Sequence, residues 1–314
     1  MFWMFVITGL VLLTLGAEWL IRGATSIARR FGLSELLIGL TLVGFGTSMP
    51  ELVSSVGAAL AGSPGVAVGN VVGSNIANIL LILGVSAAIM PINVKMLGFR
   101  RDALVLGGVT LGSIAIMFTG ELSRLAGIGF IVALIAYVGW AYRGERAKPS
   151  ASAEAINVAS MGNPGKTMPA IGFAMIGLLF LVIGARLLVD GAIGIATMLN
   201  IPETLIGLTV VAVGTSLPEL MTSVMASLRG KSDLALGNVL GSNIYNLLGI
   251  LGVTALVQPI TVPETILAFD NWVMLGATGA LIAFAVTKRQ LERWEGALMA
   301  LAYAIYLGYL VFQI

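Results

Sequence analysis

The chain has 314 residues, 58% of them apolar and 10% charged, with a net charge of +2 and neither cysteine nor histidine. Soluble domains carry about 25% charged residues, so a soluble core is excluded. The missing cysteine and histidine exclude disulfides, thiolate or imidazole metal sites and histidine-borne proton transfer.

Read in order, the apolar runs are Phe2–Ala28, Ser34–Ala61, Val66–Met90, Ala103–Phe118, Leu125–Tyr142, Met168–Met198, Thr204–Leu228, Leu234–Val257, Ala268–Thr287 and Gly296–Phe312. Most are near the length of about 20 residues that spans a bilayer, which predicts an all-α integral membrane protein with ten transmembrane helices. The first run lacks a basic start and a clear cleavage site, so it reads as a helix and not a signal peptide. The segment Arg143–Thr167 is polar, rich in Ala and Ser and punctuated by Pro and Gly. It reads as a flexible linker, too short for a domain of its own.

The basic residues fix a direction. The odd-numbered connections hold Arg29, Arg30, Lys95, Arg100, Arg101, Arg143, Arg146, Lys148, Lys166, Arg229, Lys231, Lys288, Arg289 and Arg293, while the even-numbered ones hold only Arg124. Arg and Lys collect on the cytoplasmic side, so both termini are expected outside the cytoplasm and the linker inside. The basic pI then reflects topology and not nucleic-acid binding. Trp3, Trp140, Trp272 and Trp294 stand near helix ends, as interfacial belts do.

Sliding the chain by 168 residues aligns 33–94 with 201–262 without a gap, and 36 of the 62 positions are identical. The weaker upstream match sets Gly16, Ala17, Gly23 and Ala24 on Gly184, Ala185, Gly191 and Ala192. The chain therefore divides into two five-helix repeats, 1–142 and 168–314, joined by the linker 143–167. Five is odd, so the second repeat enters the membrane from the opposite side. Inverted-topology repeats characterise secondary transporters, whose sites lie near the midplane at the repeat interface.

The strongest identity is G-T-S-x-P-E-L, at 46–52 and 214–220. Pro50 and Pro218 have no N–H and disturb the preceding turn, which is expected to leave carbonyls around Gly44–Thr47 without helical partners. Glu51 lies four residues after Thr47, and Glu219 four after Thr215, each on one helical face. The next helices read G-N-V-x-G-S-N-I-x-N, with Ser74 and Asn78, and Ser242 and Asn246, again four apart. Gly69, Gly73, Gly237 and Gly241 form small-xxx-small patterns that permit close helix approach. Asn70 and Asn75 read equally as interhelical hydrogen bonders or as site residues.

The assembled site offers carboxylates at Glu51 and Glu219, hydroxyls at Thr47, Ser48, Thr215 and Ser216, amides at Asn78 and Asn246, and backbone carbonyls. All are oxygen, which suits hard cations. Ca²⁺ takes 6–8 oxygen ligands, while Mg²⁺ demands a stricter octahedron and dehydrates reluctantly. Two glutamates give −2, which one Ca²⁺ or two to three Na⁺ would bring near neutrality. An empty buried −2 site is unfavourable, so the carrier is expected to exchange ions and not to reorient bare.

These residues resemble the sodium/calcium exchangers of the cation/calcium antiporter superfamily. The two G-T-S-x-P-E-L segments with their G-S-N-I-x-N followers look like that family's two alpha repeats. The resemblance implies alternating access, competition of Na⁺ and Ca²⁺ for overlapping sites, and electrogenic exchange. Carried onto matching positions, it implies ligands at Thr47, Ser48, Glu51, Ser74 and Asn78, and at Thr215, Ser216, Glu219, Ser242 and Asn246, with backbone carbonyls from Gly44 and Ala212. K⁺-dependent members use an Asp where this chain has Asn246, which argues against K⁺ cotransport. The long Ca²⁺-sensing loop of animal relatives is absent. The implied location is the cell (inner) membrane. Substrates are Na⁺ and Ca²⁺, the lipid bilayer is the surroundings, and no prosthetic group, nucleic acid or obligatory protein partner is called for.

Helices one and six carry Glu18/Arg22 and Arg186/Asp190, with signs exchanged between repeats. Each is an i,i+4 pair expected to neutralise itself. The resemblance suggests that these two helices slide past a fixed core, and the pairs would hold that bundle together. A proton/cation exchanger is the nearest rival reading, since both glutamates could release protons as Ca²⁺ binds. A channel lacks a pore loop here, and an enzyme lacks a nucleophile and base.

Overall fold

A chain this apolar must satisfy its backbone polar groups within each crossing segment, so helices dominate. The structure, a computed structural model, describes residues 2–146, 167–199 and 214–312. Its elements are α1 (Phe2–Phe31), α2 (Glu35–Thr47), α3 (Met49–Leu60), α4 (Pro64–Ile89), β1 (Ile92–Asn93), α5 (Met96–Met117), β2 (Glu121–Leu122) and α6 (Arg124–Arg146). They continue with α7 (Thr167–Met198), α8 (Leu217–Leu228), α9 (Ser232–Val257), β3 (Ile260–Thr261), α10 (Ile266–Lys288), β4 (Gln290–Leu291) and α11 (Arg293–Phe312). Ala212 and most of the segment 143–167 lie outside the described residues.

Seven described helices are long and apolar enough to cross a bilayer, or eight if α2 and α3, bent by 43°, form one span. The distance from the expected ten has two sources. Helix α5 has 22 residues but carries Arg100, Arg101 and Asp102 near its start, which dilutes its apolar character. The expected span 204–228 is described only from Gly214 onward.

Helices α4 and α9 form the centre. Of their most apolar windows, 72% and 89% are buried, against 22–33% for the other long helices that qualify as spans. Helix α9 approaches α2 closely: a Cβ on Gly237 would stand 2.4 Å from the Leu36 carbonyl oxygen, and one on Gly241 2.3 Å from that of Leu40. The small-xxx-small pattern therefore does serve packing at Gly237 and Gly241. A Cβ on Gly73 would meet no described atom beyond its own helix backbone within 4 Å, and the segment equivalent to Leu36–Leu40, 204–208, lies outside the described residues.

Helices α1 and α7 pair antiparallel along a seam of glycines seven residues apart. Gly9 faces Gly184, Gly16 faces Gly177, and Gly23 faces Ala170. The approach is so close that a Cβ on Gly16 would lie 2.8 Å from the Gly177 carbonyl oxygen, and one on Gly177 2.4 Å from the Leu20 nitrogen. Leu13, Ala17 and Leu20 of α1 and Ala174, Leu181 and Ala185 of α7 belong to a buried cluster separate from the main core.

Two short antiparallel ladders tie the connections together. Ile92 pairs with Leu291 and Asn93 with Gln290; Leu122 pairs with Ile260 and Glu121 with Thr261. Near the first ladder, the Val94 N–H donates to the Arg289 carbonyl at 2.8 Å, Lys95 pairs with Asp233 at 2.5 Å and Lys231 with Glu35 at 2.6 Å. Connections that are odd-numbered in sequence thus meet at one end, and those of the second ladder, which are even-numbered, meet at the other. Trp3, Trp140, Trp272 and Trp294 are all exposed.

Candidate cation site

The bend between α2 and α3 comes from the motif itself. Ser48 leaves helical geometry at φ −84°, ψ 8°, and Pro50 opens the first turn of α3. Ser216 repeats this at φ −88°, ψ 7° before α8, again with proline in the first turn. Each break delivers a glutamate at the start of a new helix, inside the molecule. Glu51 and Glu219 are each 1% exposed.

The two motifs hold each other's carboxylates. Ser48 Oγ donates to Glu219 Oε1 at 3.0 Å, and Ser216 Oγ donates to Glu51 Oε1 at 3.4 Å. The second oxygen of each, Oε2, is buried and has no hydrogen-bond partner among the described residues. No Lys or Arg forms an ion pair with either glutamate among the described residues. Burying two unpaired carboxylates is costly, so the arrangement calls for a mobile cation or protons.

Neutral oxygens surround them. Asn78 and Asn246 are each 1% exposed, and the Oδ1 of both lacks a partner among the described residues. Each of these asparagines opens a widened π-helical turn, Asn78–Leu83 and Asn246–Ile250, a distortion frequent at functional sites. Thr47 and Ser48 are fully buried, and Ser74 and Ser216 nearly so. Thr215 is half-buried, with its Oγ1 unpartnered among the described residues. Ser242 Oγ donates to the Gly44 carbonyl at 3.4 Å. No three Asp, Glu, His or Cys cluster among the described residues, so a cation here would draw most of its shell from neutral oxygen.

One expectation changes. The Gly44 carbonyl is not left without a helical partner, because the Ser48 N–H reaches it at 3.2 Å. The helix breaks at Ser48, one turn after Gly44, and a π turn at Gly39–Val43 precedes the motif. A further change concerns the i,i+4 charges: Glu18 and Arg22 pair at 2.7 Å, but Arg186 and Asp190 form no ion pair among the described residues.

Behind the glutamates stands a layer that the motif reading left half-assigned. Asn70 Nδ2 donates to the Glu51 carbonyl at 3.2 Å and to Ser55 Oγ at 2.8 Å. Its counterpart Asn238 Nδ2 donates to the Glu219 carbonyl at 3.4 Å and to Ser223 Oγ at 2.9 Å. Thr47 Oγ1 lies 3.3 Å from Asn238 Oδ1, which links the repeats again. Asn70 is thus an interhelical bonder. Asn75 is not: neither its amide nitrogen nor its oxygen has a partner among the described residues. The signal was in the sequence, since each asparagine follows its glutamate by 19 positions and its serine by 15.

The model of the sodium/calcium exchanger protein family matches residues 1–143 and 169–312. The chain belongs to the sodium/calcium exchanger family. The exchanger is 39% identical to the putative antiporter CaxA of Alkalimonas amylolytica, covering 98% of each chain. It is 35% identical to the sodium/calcium exchanger MaX1 of Methanosarcina acetivorans, covering 96% of each. Its fold matches a structure of the sodium-calcium exchanger NCX_Mj soaked without Na⁺ or Ca²⁺, with a TM-score of 0.84, 34% identity, and coverage of 98% of this chain and 97% of that one. The exchanger is thus a multi-pass membrane protein of a transporter family, and its fold points to ion transport and not to catalysis.

Proposed function

We propose that the chain exchanges Na⁺ for Ca²⁺ by alternating access at a midplane site built from its two G-T-S-x-P-E motifs. The observation that carries the reading is the reciprocal pair of hydrogen bonds, Ser48 to Glu219 and Ser216 to Glu51, which leaves one oxygen of each buried glutamate unpartnered among the described residues. Those oxygens, the hydroxyls of Thr47, Ser48, Thr215, Ser216, Ser74 and Ser242, the amides of Asn78 and Asn246, and the carbonyls of Gly44 and Ala212 form the ligand pool. Ca²⁺ draws on 6–8 of such oxygens. Na⁺ ions occupy overlapping subsets and neutralise the same −2 charge.

Ten spans in two inverted repeats, 1–142 and 168–314, explain why each half contributes the same motif from opposite directions. The two ladders support this: Ile260 is Ile92 moved on by 168 residues, and each pairs with a strand of the other repeat. With Arg and Lys inside, the termini lie outside the cytoplasm and the linker 143–167 lies within, across the cell membrane. Because the doubly charged, ion-free site is costly to bury, the carrier switches sides mainly when loaded, which couples the two fluxes.

Proton coupling is the competing reading, because the two unpaired buried carboxylates could equally be neutralised by H⁺. Ca²⁺ uptake into proteoliposomes separates the two. Uptake that needs internal Na⁺ supports Na⁺/Ca²⁺ exchange. Uptake driven by a pH gradient in choline medium replaces it with proton exchange.

A further inference from the structure

The two routes to the site are closed to different degrees. Between α3 and α7 lies a cavity of about 540 Å³, lined by Val53, Ser54, Arg186 and Asp190 and reaching Thr215 of the second motif. Carrying α3 on by 168 residues gives α8, and carrying α1 on gives α7, so the equivalent route runs between α8 and α1. That route is packed shut. Ser54 is exposed, but its counterpart Thr222 is 0% exposed; Val189 lines the cavity, but its counterpart Ile21 is buried.

Glu18 stands at the closed face. Arg22 Nε donates to its Oε1 at 2.7 Å, and Arg229 Nη2 lies 2.7 Å from its Oε2 as an ion pair without an aligned hydrogen bond. Arg229 is the C-cap of α8. The levels agree with the glycine seam. Gly9 facing Gly184 and Gly16 facing Gly177 put the local two-fold between Leu12 and Leu13. At 1.5 Å per residue, Glu18 lies about 8 Å beyond that level, and Arg229 lies about 15 Å beyond Glu219. The arginine side chain spans the remainder.

The other repeat cannot copy this contact. Position 61, the counterpart of Arg229, is alanine, and Arg186, the counterpart of Glu18, forms no ion pair among the described residues.

We infer that Glu18 is a positioning residue for transport: through Arg22 and Arg229 it ties α1 to the end of α8 and holds the entrance on the Arg- and Lys-rich side shut. This rests on the alternating-access reading above. The tie breaks once per cycle, so it sets the balance between the two states. Its arginines are 64% and 55% exposed, which keeps it weak enough to open.

The absence of cysteine allows a direct test in the full chain. Ser54→Cys and Thr222→Cys are introduced singly, and vesicles are treated with a membrane-impermeant maleimide from each side. In the otherwise unchanged chain, Ser54→Cys reacts from the outer side and Thr222→Cys stays protected. Adding Glu18→Gln or Arg229→Met raises cytoplasmic labelling of Thr222→Cys about tenfold, in the range of coupling between linked sites, and slows Ser54→Cys. Exchanging the charges, Glu18→Arg with Arg229→Glu, restores the original pattern. Unchanged labelling at both positions, or a charge exchange that behaves like the single variants, overturns the inference. Where Thr222→Cys does not fold, the Ser54→Cys rates decide alone. The readout needs no ion gradient, so it stands or falls separately from Na⁺ coupling.

Discussion

The region around Glu51 and Glu219 and the seam between α1 and α7 are both where the repeats meet, yet they are built from opposite materials. At the glutamates the repeats are joined by directional polar bonds: Ser48 to Glu219, Ser216 to Glu51, Thr47 to Asn238 and Ser242 to the Gly44 carbonyl. Along the seam they are joined by backbone pressed against glycine, with apolar side chains on either side. Directional bonds fix one geometry, which suits the cation site proposed above. A smooth apolar seam has few bonds to break when it shifts. On the alternating-access reading proposed above, the polar junction would stay fixed while the apolar seam shifts, and the charged tie at Glu18 lies beside that seam.

The largest effect should come from the carboxylates. Glu51→Gln and Glu219→Gln should each lower Ca²⁺ uptake by about 100-fold or more, exceeding the 10–100-fold that follows when a partner behind a ligand is changed. Equal losses would show that the two repeats share one site; a silent variant at either position would break the symmetry. Next comes the layer behind. Asn238→Ala removes hydrogen bonds to Glu219 and Ser223 and leaves buried partners unmet, at a cost of about 1–3 kcal/mol. Thermal unfolding in detergent should place it below Asn70→Ala, because Asn70 is only partly buried and water can replace its bonds.

The seam should respond to volume and not to polarity. Gly16→Ala places a methyl 2.8 Å from the Gly177 carbonyl oxygen, and such overpacking costs about 1–3 kcal/mol. Gly172→Ala, on the same pair of helices but with no described atom within 4 Å, should be neutral or slightly stabilising, since alanine favours a helix interior over glycine by up to about 1 kcal/mol. Equal melting points for the two variants would contradict the seam.

The smallest effect belongs to the surface. Asp233 raises the Lys95 pKa, chiefly through its hydrogen bond to the ammonium. A raised lysine pKa gives stability that is fully present below the unfolded value of about 10.4 and is lost as pH rises through the folded value. Lys95 is 80% exposed, so the pair should contribute at most about 1 kcal/mol. Lys95→Met should shift the melting point slightly at neutral pH, less in high salt, and not at all once the lysine is deprotonated.

Much of this was legible in the residues. The G-T-S-x-P-E-L pair located the glutamates and the helix break, since a proline four residues after a glycine admits few structures. The 168-residue offset placed both serines and both glutamates in one site, but it did not show that Ser48 bonds Glu219 and Ser216 bonds Glu51 across the repeats. Other features depend on context that no local pattern carries. The π turns at Asn78 and Asn246 are set by how α4 and α9 pack, and the Gly44 carbonyl keeps its bond because the break falls a turn later than expected. The unlike fates of Glu18/Arg22 and Arg186/Asp190 could not be read from two similar i,i+4 pairs. What the tertiary fold adds is Arg229, a second partner for Glu18, where the equivalent position 61 holds alanine; the missing Arg186–Asp190 pair has no structural explanation among the described residues.

Calorimetric titration of Ca²⁺ into the Na⁺-free, detergent-purified protein tests the central claim most directly, with Glu51→Gln, Glu219→Gln and the double variant alongside. The account predicts that the wild type binds Ca²⁺ and that added Na⁺ displaces it. Each single variant should lose nearly all of that binding, and the double variant should lose no more than the singles, as two carboxylates of one site require. Wild-type Ca²⁺ affinity in either single variant, or indifference of the bound Ca²⁺ to Na⁺, would contradict it.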